Sequence, residues 1–481
     1  MRLGHAGRMN LPFPLAIPKS AARGFFLFLK IAGICVLILL LHIPLLMTRG
    51  ILTERQGYQR AAAAEIAGIW GHEQSLTGPV LAVPYTVPTH VTRSKVIDGK
   101  VVNVDETEYS AATAYFFPEV LAVDGTVDPE VRHRGIYESV VYSSKLRLTG
   151  NFQPDLVAAG VEPARADWNK AVIRFGLSDL RGIRSISPFQ MRDGDAAPFE
   201  ASAVGAAPDF LPLTAKLPNG VKAGTKLEFS FDVVLQGSAR LQIAPVGKDT
   251  RVTLASSWST PSFGGAYLPV KRTVGPAGFS AEWATTYLSR GFAQAWNSRT
   301  DPADLKQRIE QASFGVTFAQ PLDSYRLADR AQKYGVLFFV LVFTAFFLFE
   351  VTAELRIHPL QYVLVGAALC LFFLGFLALS EFMSAGLAYG IAAAACTGLI
   401  SLYTWTFLKT GRRTLVILGG LSATYGYLYF VLQSEDYALL AGTCALFAGL
   451  ALVMFCTRRL NWYALGTAPE SEAAAAEMET R

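Results

Sequence analysis

The sequence predicts a polytopic α-helical membrane protein with six spans, arranged as one plus five, and a large antiparallel β-rich domain inserted between spans one and two. Three observations predict this fold class. They are blocks of about 20 apolar residues, an alternation of charge in the loops that join them, and an alternation of apolar and polar residues in the insert. Only 17% of the 481 residues are charged, against roughly 25% in soluble domains.

Six apolar stretches are long enough to cross a hydrocarbon core of about 30 Å as helices, at about 1.5 Å of rise per residue. The first stretch is longer than the core of a usual signal peptide, and no small-x-small cleavage site follows it. We therefore expect it to be a retained anchor. The six stretches are 25–47, 334–351, 360–379, 385–408, 414–432 and 437–456.

The short loops between these stretches fall into a basic set and an acidic set, which alternate along the chain. Basic loops stay in the cytoplasm, so we predict cytoplasmic termini and a periplasmic insert. The basic set contains Arg2, Arg8, Lys19, Arg23, Arg356, Lys409, Arg412, Arg413, Arg458 and Arg459, and the acidic set contains Glu381, Glu435 and Asp436.

This topology divides the chain into five segments. They are a basic cytoplasmic N-terminus (1–24), a first anchor (25–47), a periplasmic β-rich domain (48–333), a five-helix bundle (334–456) and a cytoplasmic tail (457–481). Within the bundle, Pro359 is predicted to begin a helix, because the donor that proline lacks is not needed in the first helical turn.

The insert alternates apolar and polar residues in its best-defined stretches. In KLEFSFDVV, the apolar residues from Leu227 to Val233 occupy every second position, as in a half-buried strand. Asp98-Gly99 predicts a hairpin turn, and Asp124-Gly125 offers a second one. The pattern favours an antiparallel meander, in one sheet or two lobes, flanked by helices at 54–70 and 301–312.

Several chemistries lack the residues that they require. The insert has no cysteine, which excludes disulfides, thiolate catalysis and Cys-ligated zinc there. Its nearly balanced charge gives no basis for binding nucleic acid. None of the six histidines forms an HxH or HExxH pair, and no phosphate-binding loop or nucleophile motif is present. We therefore expect no catalytic residues, no cofactor and no metal.

Two carboxylates, Glu350 and Glu354, lie four residues apart near the end of the second predicted span and would share a helix face. They could form an ion or proton relay, because ionisable groups inside a membrane usually have a function. Alternatively, they are interfacial and are solvated or paired beside Arg356. We favour the interfacial interpretation, because no partner deeper in another span completes a relay.

The fourth span carries a small residue at every fourth position, a pattern that lets membrane helices approach closely. The stripe could pack within the bundle or join two copies of the chain in a homo-oligomer. We favour packing within the bundle. The residues are Gly386, Gly390, Ala394 and Gly398.

Several long motifs resemble the CreD family of bacterial inner-membrane proteins. In the bundle they include LRIHPLQYVLVG and YGYLYFVLQSEDYALLAGT, and in the insert SSWSTPSFGGAYLPVKRTVGPAGFSAEW at 256–283. The resemblance covers roughly residues 25–463. It implies a role in cell-envelope integrity, in the β-lactam response and in colicin tolerance. No catalytic activity is established for the family, so the resemblance implies a cellular role and no mechanism.

The insert motif allows two interpretations that the sequence does not separate. It could be a recognition surface rich in aromatic residues, or a turn that packs two strands together. Its residues are Trp258, Pro261, Ser262, Phe263, Gly265, Leu268, Pro269, Arg272, Phe279 and Trp283.

We expect a non-enzymatic protein of the bacterial inner membrane whose periplasmic domain senses, binds or braces an envelope protein or lipid. A transporter or lipid-handling protein that uses Glu350 and Glu354 is the alternative. A membrane-embedded enzyme is the third, which the missing motifs disfavour.

Overall fold

A computed structural model gives the structure of this chain. It divides into two compact units, one formed by Gly57–Pro321 and the other by Met1–Gln56 with Leu322–Arg481. The residues that the structure describes are 19–97, 100–191, 196–202, 208–217, 224, 226–299, 302–318, 324–352, 357–408, 410–434 and 437–458.

Long apolar helices dominate the unit that contains both chain ends. Four of the described helices are long and apolar enough to cross a membrane, and α3 with α4, bent by 51° at their junction, adds a fifth if the pair forms one span. Six spans therefore stays a prediction. In chain order the described helices of the two units are α1 Lys19–Trp70, α2 Pro302–Ala312, α3 Ser324–Lys333, α4 Gly335–Thr352, α5 Pro359–Ser380, α6 Ala385–Leu408, α7 Gly411–Gln433 and α8 Ala438–Thr457, and α2 belongs to the unit formed by Gly57–Pro321.

Helix α1 runs without a break through both predicted segments, 25–47 and 54–70. One side of it is buried, because Leu41, Leu45, Thr48 and Leu52 recur at helical spacing. Two glycines of other helices make room for this stripe. A Cβ on Gly366 would lie 2.3 Å from Leu41, and one on Gly335 would lie 2.8 Å from Leu45.

Helix α5 begins at Pro359, as predicted. His358 precedes it in an extended conformation and caps it, because its Nδ1 accepts the Leu360 N–H at 3.2 Å. The Gln361 side chain accepts the His358 N–H at 2.9 Å in return. This reciprocal pair is a capping box, which satisfies two backbone donors that the helix leaves free.

The second unit is built on two nine-stranded sheets. One has the order β14-β18-β12-β1-β5-β10-β9, with β2 paired to β1 and β17 to β2; the other has the order β15-β16-β13-β3-β4-β11-β7-β8, with β6 paired to β11. The strands are β1 Gln74–Ile97, β2 Lys100–Phe116, β3 Val120–Arg134, β4 Tyr137–Phe152, β5 Val172–Leu177, β6 Ile183–Ile186, β7 Phe189–Met191, β8 Ala196–Ala197, β9 Phe199–Ala201, β10 Leu213–Lys216, β11 Leu227–Ser238, β12 Arg240–Ile243, β13 Asp249–Ser256, β14 Pro261–Gly265, β15 Lys271–Gly275, β16 Gly278–Thr286, β17 Ala295–Asn297 and β18 Phe314–Phe318.

Most strand pairs are antiparallel, as predicted, but β1 with β12 and β3 with β13 are parallel. The alternation in β11 is confirmed, since Leu227, Phe229, Phe231 and Val233 are all buried. The hairpin from β1 to β2 is confirmed by the pairing of Ile97 with Lys100, while its turn residues 98–99 lie outside the described residues.

The predicted turn at Asp124-Gly125 is wrong, because both residues lie inside β3. Gly125 allows neighbouring strands to pack closely and does not form a turn. A Cβ on Gly125 would lie 2.4 Å from Leu146 of β4 and 3.2 Å from Leu254 of β13. The two strands that flank β3 therefore require a residue without a side chain at this position.

Aromatic side chains from both sheets share one hydrophobic core. Phe175 of the first sheet meets Phe231 of the second with ring centroids 5.3 Å apart, and Phe314 meets Trp283 at 5.6 Å. Each fully buried phenylalanine contributes about 1.5–3 kcal/mol. The two sheets therefore form a sandwich that needs no disulfide.

A polar network lies where β1 begins. Gln74, which is almost fully buried, donates to the carbonyl oxygens of Asp179 and Gln236 at 2.9 and 3.2 Å. The Asp179 carboxylate accepts the His72 N–H and the Arg181 N–H, each at 3.1 Å. Asp179 also binds the Arg181 guanidinium at 3.1 and 3.2 Å.

Candidate functional site

The insert motif at 256–283 forms one end of the sandwich. Strand β14 is the edge of the first sheet and β15 is the edge of the second. Only five residues, 266–270, connect them. One continuous segment therefore supplies the last strand of both sheets.

Half of this motif belongs to the core. Trp283 is fully buried, and Phe279 is nearly so. Phe263 of the opposite sheet packs edge-on against both rings, with centroid distances of 5.7 Å to Trp283 and 5.3 Å to Phe279. The half-buried Trp258 packs edge-on against Phe318 at 6.4 Å. These aromatic residues close the end of the sandwich.

Gly265 has a structural role of its own. Its φ is +99°, a conformation that favours glycine. A Cβ at this position would lie 2.3 Å from the Ser313 carbonyl oxygen and 2.6 Å from the Phe314 Cα. The next residue, Ala266, donates its N–H to the same Ser313 oxygen at 3.0 Å. The chain can therefore leave β14 in this direction only with glycine at 265.

The other half of the motif is exposed. Leu268, Val270 and Val274 expose 66%, 61% and 48% of their surface, and Arg272 is exposed between the two valines. We call these four residues the edge patch. Pro269 beside them is half-buried, and Pro261 and Ser262 of β14 are half-buried and exposed, respectively.

The register of β15 explains where the side chains of the edge patch point. Arg272 pairs with Ala281 and Val274 pairs with Phe279, and both partners on β16 are buried core residues. Residues that pair directly across strands point to the same face of the sheet. Arg272 and Val274 of the edge patch therefore continue the inner face of the second sheet beyond the part that the first sheet covers.

Glu350, the first of the two predicted membrane carboxylates, is buried, with 7% of its surface exposed. Its Oε2 accepts the Tyr362 hydroxyl at 2.8 Å, and its Oε1 accepts the Ile357 N–H at 3.0 Å. Lys30 of α1 completes the site as an ion-pair partner of Oε1 and also donates to the Ile357 carbonyl at 3.0 Å. We call Lys30, Glu350 and Tyr362 the buried ionic cluster.

Of the two expected states, solvated or paired, Glu350 adopts the paired one, and it is buried with Lys30 as its ion-pair partner. Glu354 and Arg356 lie outside the described residues. The partner that the sequence interpretation missed is Lys30, which falls inside the first apolar stretch, 25–47. A basic residue within a span is costly unless it is paired, and that cost is the signal that could have identified it.

A second ion pair joins α1 to the apolar helices further along. Arg55 lies 3.5 Å from the Glu381 carboxylate, which also accepts the Tyr325 hydroxyl at 3.3 Å. The 25 residues from Lys30 to Arg55 span about 37 Å of helix. That length lies between the roughly 30 Å of the hydrocarbon core and the roughly 40–45 Å of a bilayer with its headgroup regions, as expected for contacts at the two ends of a membrane span.

Two glycines of the small-residue stripe of α6, Gly390 and Gly398, do not pack tightly in the described helices. Gly386, Gly390, Ala394 and Gly398 line a groove of about 630 Å³ between α6 and α7. A Cβ on Gly390 or Gly398 would have no neighbour within 4 Å. The favoured expectation of close packing within the bundle is therefore wrong at these two glycines, and a homo-oligomer stays a prediction.

Comparison with known proteins assigns the family. The family described as inner membrane protein CreD matches residues 26–463. The chain belongs to the CreD family. It is also 32% identical to the inner membrane protein CreD of Escherichia coli (strain K12) over 439 residues, which cover 91% of this chain and 94% of that relative.

Membership in the CreD family and the apolar helices identify a multi-pass inner-membrane protein with a large β-rich region between α1 and the other apolar helices. Such a protein is associated with the lipid bilayer. Within the described part of this CreD chain, no group of three or more His, Cys, Asp or Glu side chains is placed to hold a metal ion. The family name specifies the inner membrane as the location and does not specify a ligand or a reaction.

Proposed function

We propose that this CreD-family protein is non-catalytic, supports the integrity of the cell envelope, and does so by binding an envelope component through its sandwich. The observation that carries the proposal is the edge patch, an apolar strip of inner sheet face that nothing in the described chain covers. The proposed role in envelope stress is based on the family resemblance. The proposed binding mode is based on the geometry of β15.

The topology that this function requires has six spans, with α8 as the last, and places both termini in the cytoplasm and the sandwich in the periplasm. The basic loops support this orientation, because Arg412, Arg413 and Arg458 flank α7 and α8 on one side. The acidic Glu381 ends α5 on the other side. The distance along α1 between its two ion pairs supports the interpretation that this helix spans the membrane.

An extended polypeptide segment is the partner that the edge patch fits best. Within the described strands, β15 pairs with β16 alone, so its outer backbone groups can accept a further strand. Val270, Arg272 and Val274 occupy alternate positions on one face, as side-chain contacts to an added strand require. Lys271 and Arg272 favour acidic residues in the partner and discourage pairing between identical edges.

A site-specific crosslinking experiment tests this function. A photoreactive residue at Val270 or Val274 should capture an envelope component in cells, whereas the same residue at Val157, which is 72% exposed on the same unit, should not. The variant V270D/V274D should lose envelope-stress tolerance in a deletion strain at normal abundance, and V157D should retain it. Full complementation by V270D/V274D would remove the edge patch as the binding site.

Coupled transport is a second candidate function, and the burial of Glu350 favours it. Against it, the two Glu350 oxygens already bind Lys30, Ile357 and Tyr362. A carboxylate saturated with partners is suited to hold helices together. Substitution of Lys30 and Glu350, singly and together, separates these two roles.

A further inference from the structure

A cavity of about 680 Å³ lies between α4, α7 and α8. Its size is within the range of sites for small organic ligands, roughly 300–1,000 Å³. The wall is almost wholly apolar, and representative residues are Leu341, Phe349, Ile417, Thr424, Leu446 and Val453. All three helices are apolar, so in a bilayer the surrounding medium is lipid.

A cavity of this size between membrane helices is unfavourable when empty, because its lining residues lose their dispersion contacts. Water does not compensate, since the wall offers almost no polar partners for it. An acyl chain matches the lining chemically. The cavity alone does not select among lipids, and that selection requires a headgroup site.

Arginines lie at one end of this cavity. Arg412 and Arg413 stand four residues before Val416 and Ile417, two lining residues, so each arginine shares a helix face with one of them. Arg458 follows α8 five residues after the lining residue Val453. Among the described residues, none of these three arginines forms an ion pair.

The N-terminus of α7 adds to the positive potential. Its N-cap residue, Thr410, makes no side-chain capping hydrogen bond, so the first backbone N–H groups of α7 point outward without that partner. A helix N-terminus favours an anion, and paired arginines bind a phosphate through several charge-assisted hydrogen bonds. Phosphate is the anion that a phospholipid presents at this depth.

We propose that the cavity binds an acyl chain of an anionic phospholipid whose phosphate is held by Arg412 and Arg413, with Arg458 adding to the positive charge. Because α8 packs on α4 and α7, the bound chain would fill the seam that joins α8 to its neighbours. This inference concerns the apolar helices alone and does not depend on the edge patch.

Native mass spectrometry of the full-length protein in detergent tests the proposal, with added phosphatidylglycerol or phosphatidylcholine as the probe. We expect retention of phosphatidylglycerol over phosphatidylcholine, and R412Q/R413Q should reduce that preference by about fivefold or more. R49Q, which removes an exposed arginine of α1, should leave the preference unchanged.

A second variant tests the cavity apart from the headgroup site. Gly420 lines the cavity, and a Cβ there would meet no neighbour within 4 Å, so G420L should fill the space and reduce the binding of both lipids. Gly375 has the same open surroundings in α5, and G375L is the matched control. Three outcomes would each overturn the proposal. They are equal retention of the two lipids by the wild type, unchanged lipid binding by G420L, and a dimer whose formation G420L abolishes.

Discussion

Lys30 and Glu350 are 320 residues apart in the chain and form an ion pair between α1 and α4. Tyr362 adds the first turn of α5 to the same carboxylate. One glutamate therefore connects three helices at one end of the membrane-spanning unit. A buried charge pair of this kind is often no more stable than an apolar replacement, but the loss of one partner is costly.

This relationship gives the first prediction. E350Q and K30M should each lower the thermal midpoint of the purified protein, because each leaves a buried partner uncompensated, at a cost of about 3–5 kcal/mol. The double variant K30M/E350Q should recover much of that loss. Thermal unfolding in detergent provides the measurement.

Activity in cells separates the two roles of this cluster. If the cluster only holds helices together, K30M/E350Q complements a deletion strain under envelope stress at matched abundance. If the double variant is stable and abundant but does not complement, Glu350 takes part in coupled transport, and our preference for a static role is wrong.

The second prediction concerns Gly265. G265A should destabilise the sandwich by about 1–3 kcal/mol, because φ is +99° and the new methyl group would press on the Ser313 carbonyl. G264A is the matched control one residue earlier, where a Cβ meets nothing within 4 Å. Thermal unfolding of both variants provides the comparison, and equal midpoints would contradict the close approach at residue 265.

The third prediction concerns pH. Burial raises the pKa of the Asp179 carboxyl, but hydrogen bonds from the Arg181 side chain, the His72 N–H and the Arg181 N–H outweigh burial, and the pKa is lowered from its ordinary value. A lowered pKa means that ionised Asp179 stabilises the fold at pH values above its unfolded pKa, about 4. That stabilisation is lost as the pH falls through the folded-state pKa.

D179N should therefore lower stability by about 1–2 kcal/mol at pH 7, and the difference from the wild type should shrink below a pH of about 4. The exposed Asp209 provides a control, since D209N should have little effect at either pH. Urea unfolding across this pH range measures both variants. A penalty for D179N that stays constant down to pH 2.5 would show that its cost is not electrostatic.

The fourth prediction concerns topology. In a cysteine-free background, a membrane-impermeant maleimide should label V157C in intact spheroplasts and should label R412C only after permeabilisation. Val157 is exposed on the sandwich and Arg412 is exposed at the start of α7. The opposite labelling pattern would invert the orientation that the basic loops predict.

Local patterns made part of this fold predictable from the sequence. The alternation of β11, the start of α5 at Pro359 and the hairpin from β1 to β2 depend on neighbouring residues, and the structure confirms all three. Gly125 shows where a local rule fails. An Asp-Gly pair is typical of a turn, but the close approach of β4 and β13 decides its conformation.

The candidate sites were harder to predict because their contacts are long-range. The pairing of Lys30 with Glu350 depends on which helices pack together, and the parallel pairing of β3 with β13 depends on the order of strands in the sheet. The division of the insert motif into a core half and an exposed half follows from the register of β15 against β16, which the sequence alone does not specify.

One edge strand of each sheet comes from one short stretch, 261–275. The rim of the sandwich is therefore modular, since exchanging the residues of the edge patch alters what the rim contacts and leaves the order of the other strands unchanged. If the edge patch binds a partner as proposed, a few substitutions there would change that partner, while Phe263, Phe279 and Trp283 keep the two sheets closed. Grafting 268–274 between relatives would transfer specificity as a unit.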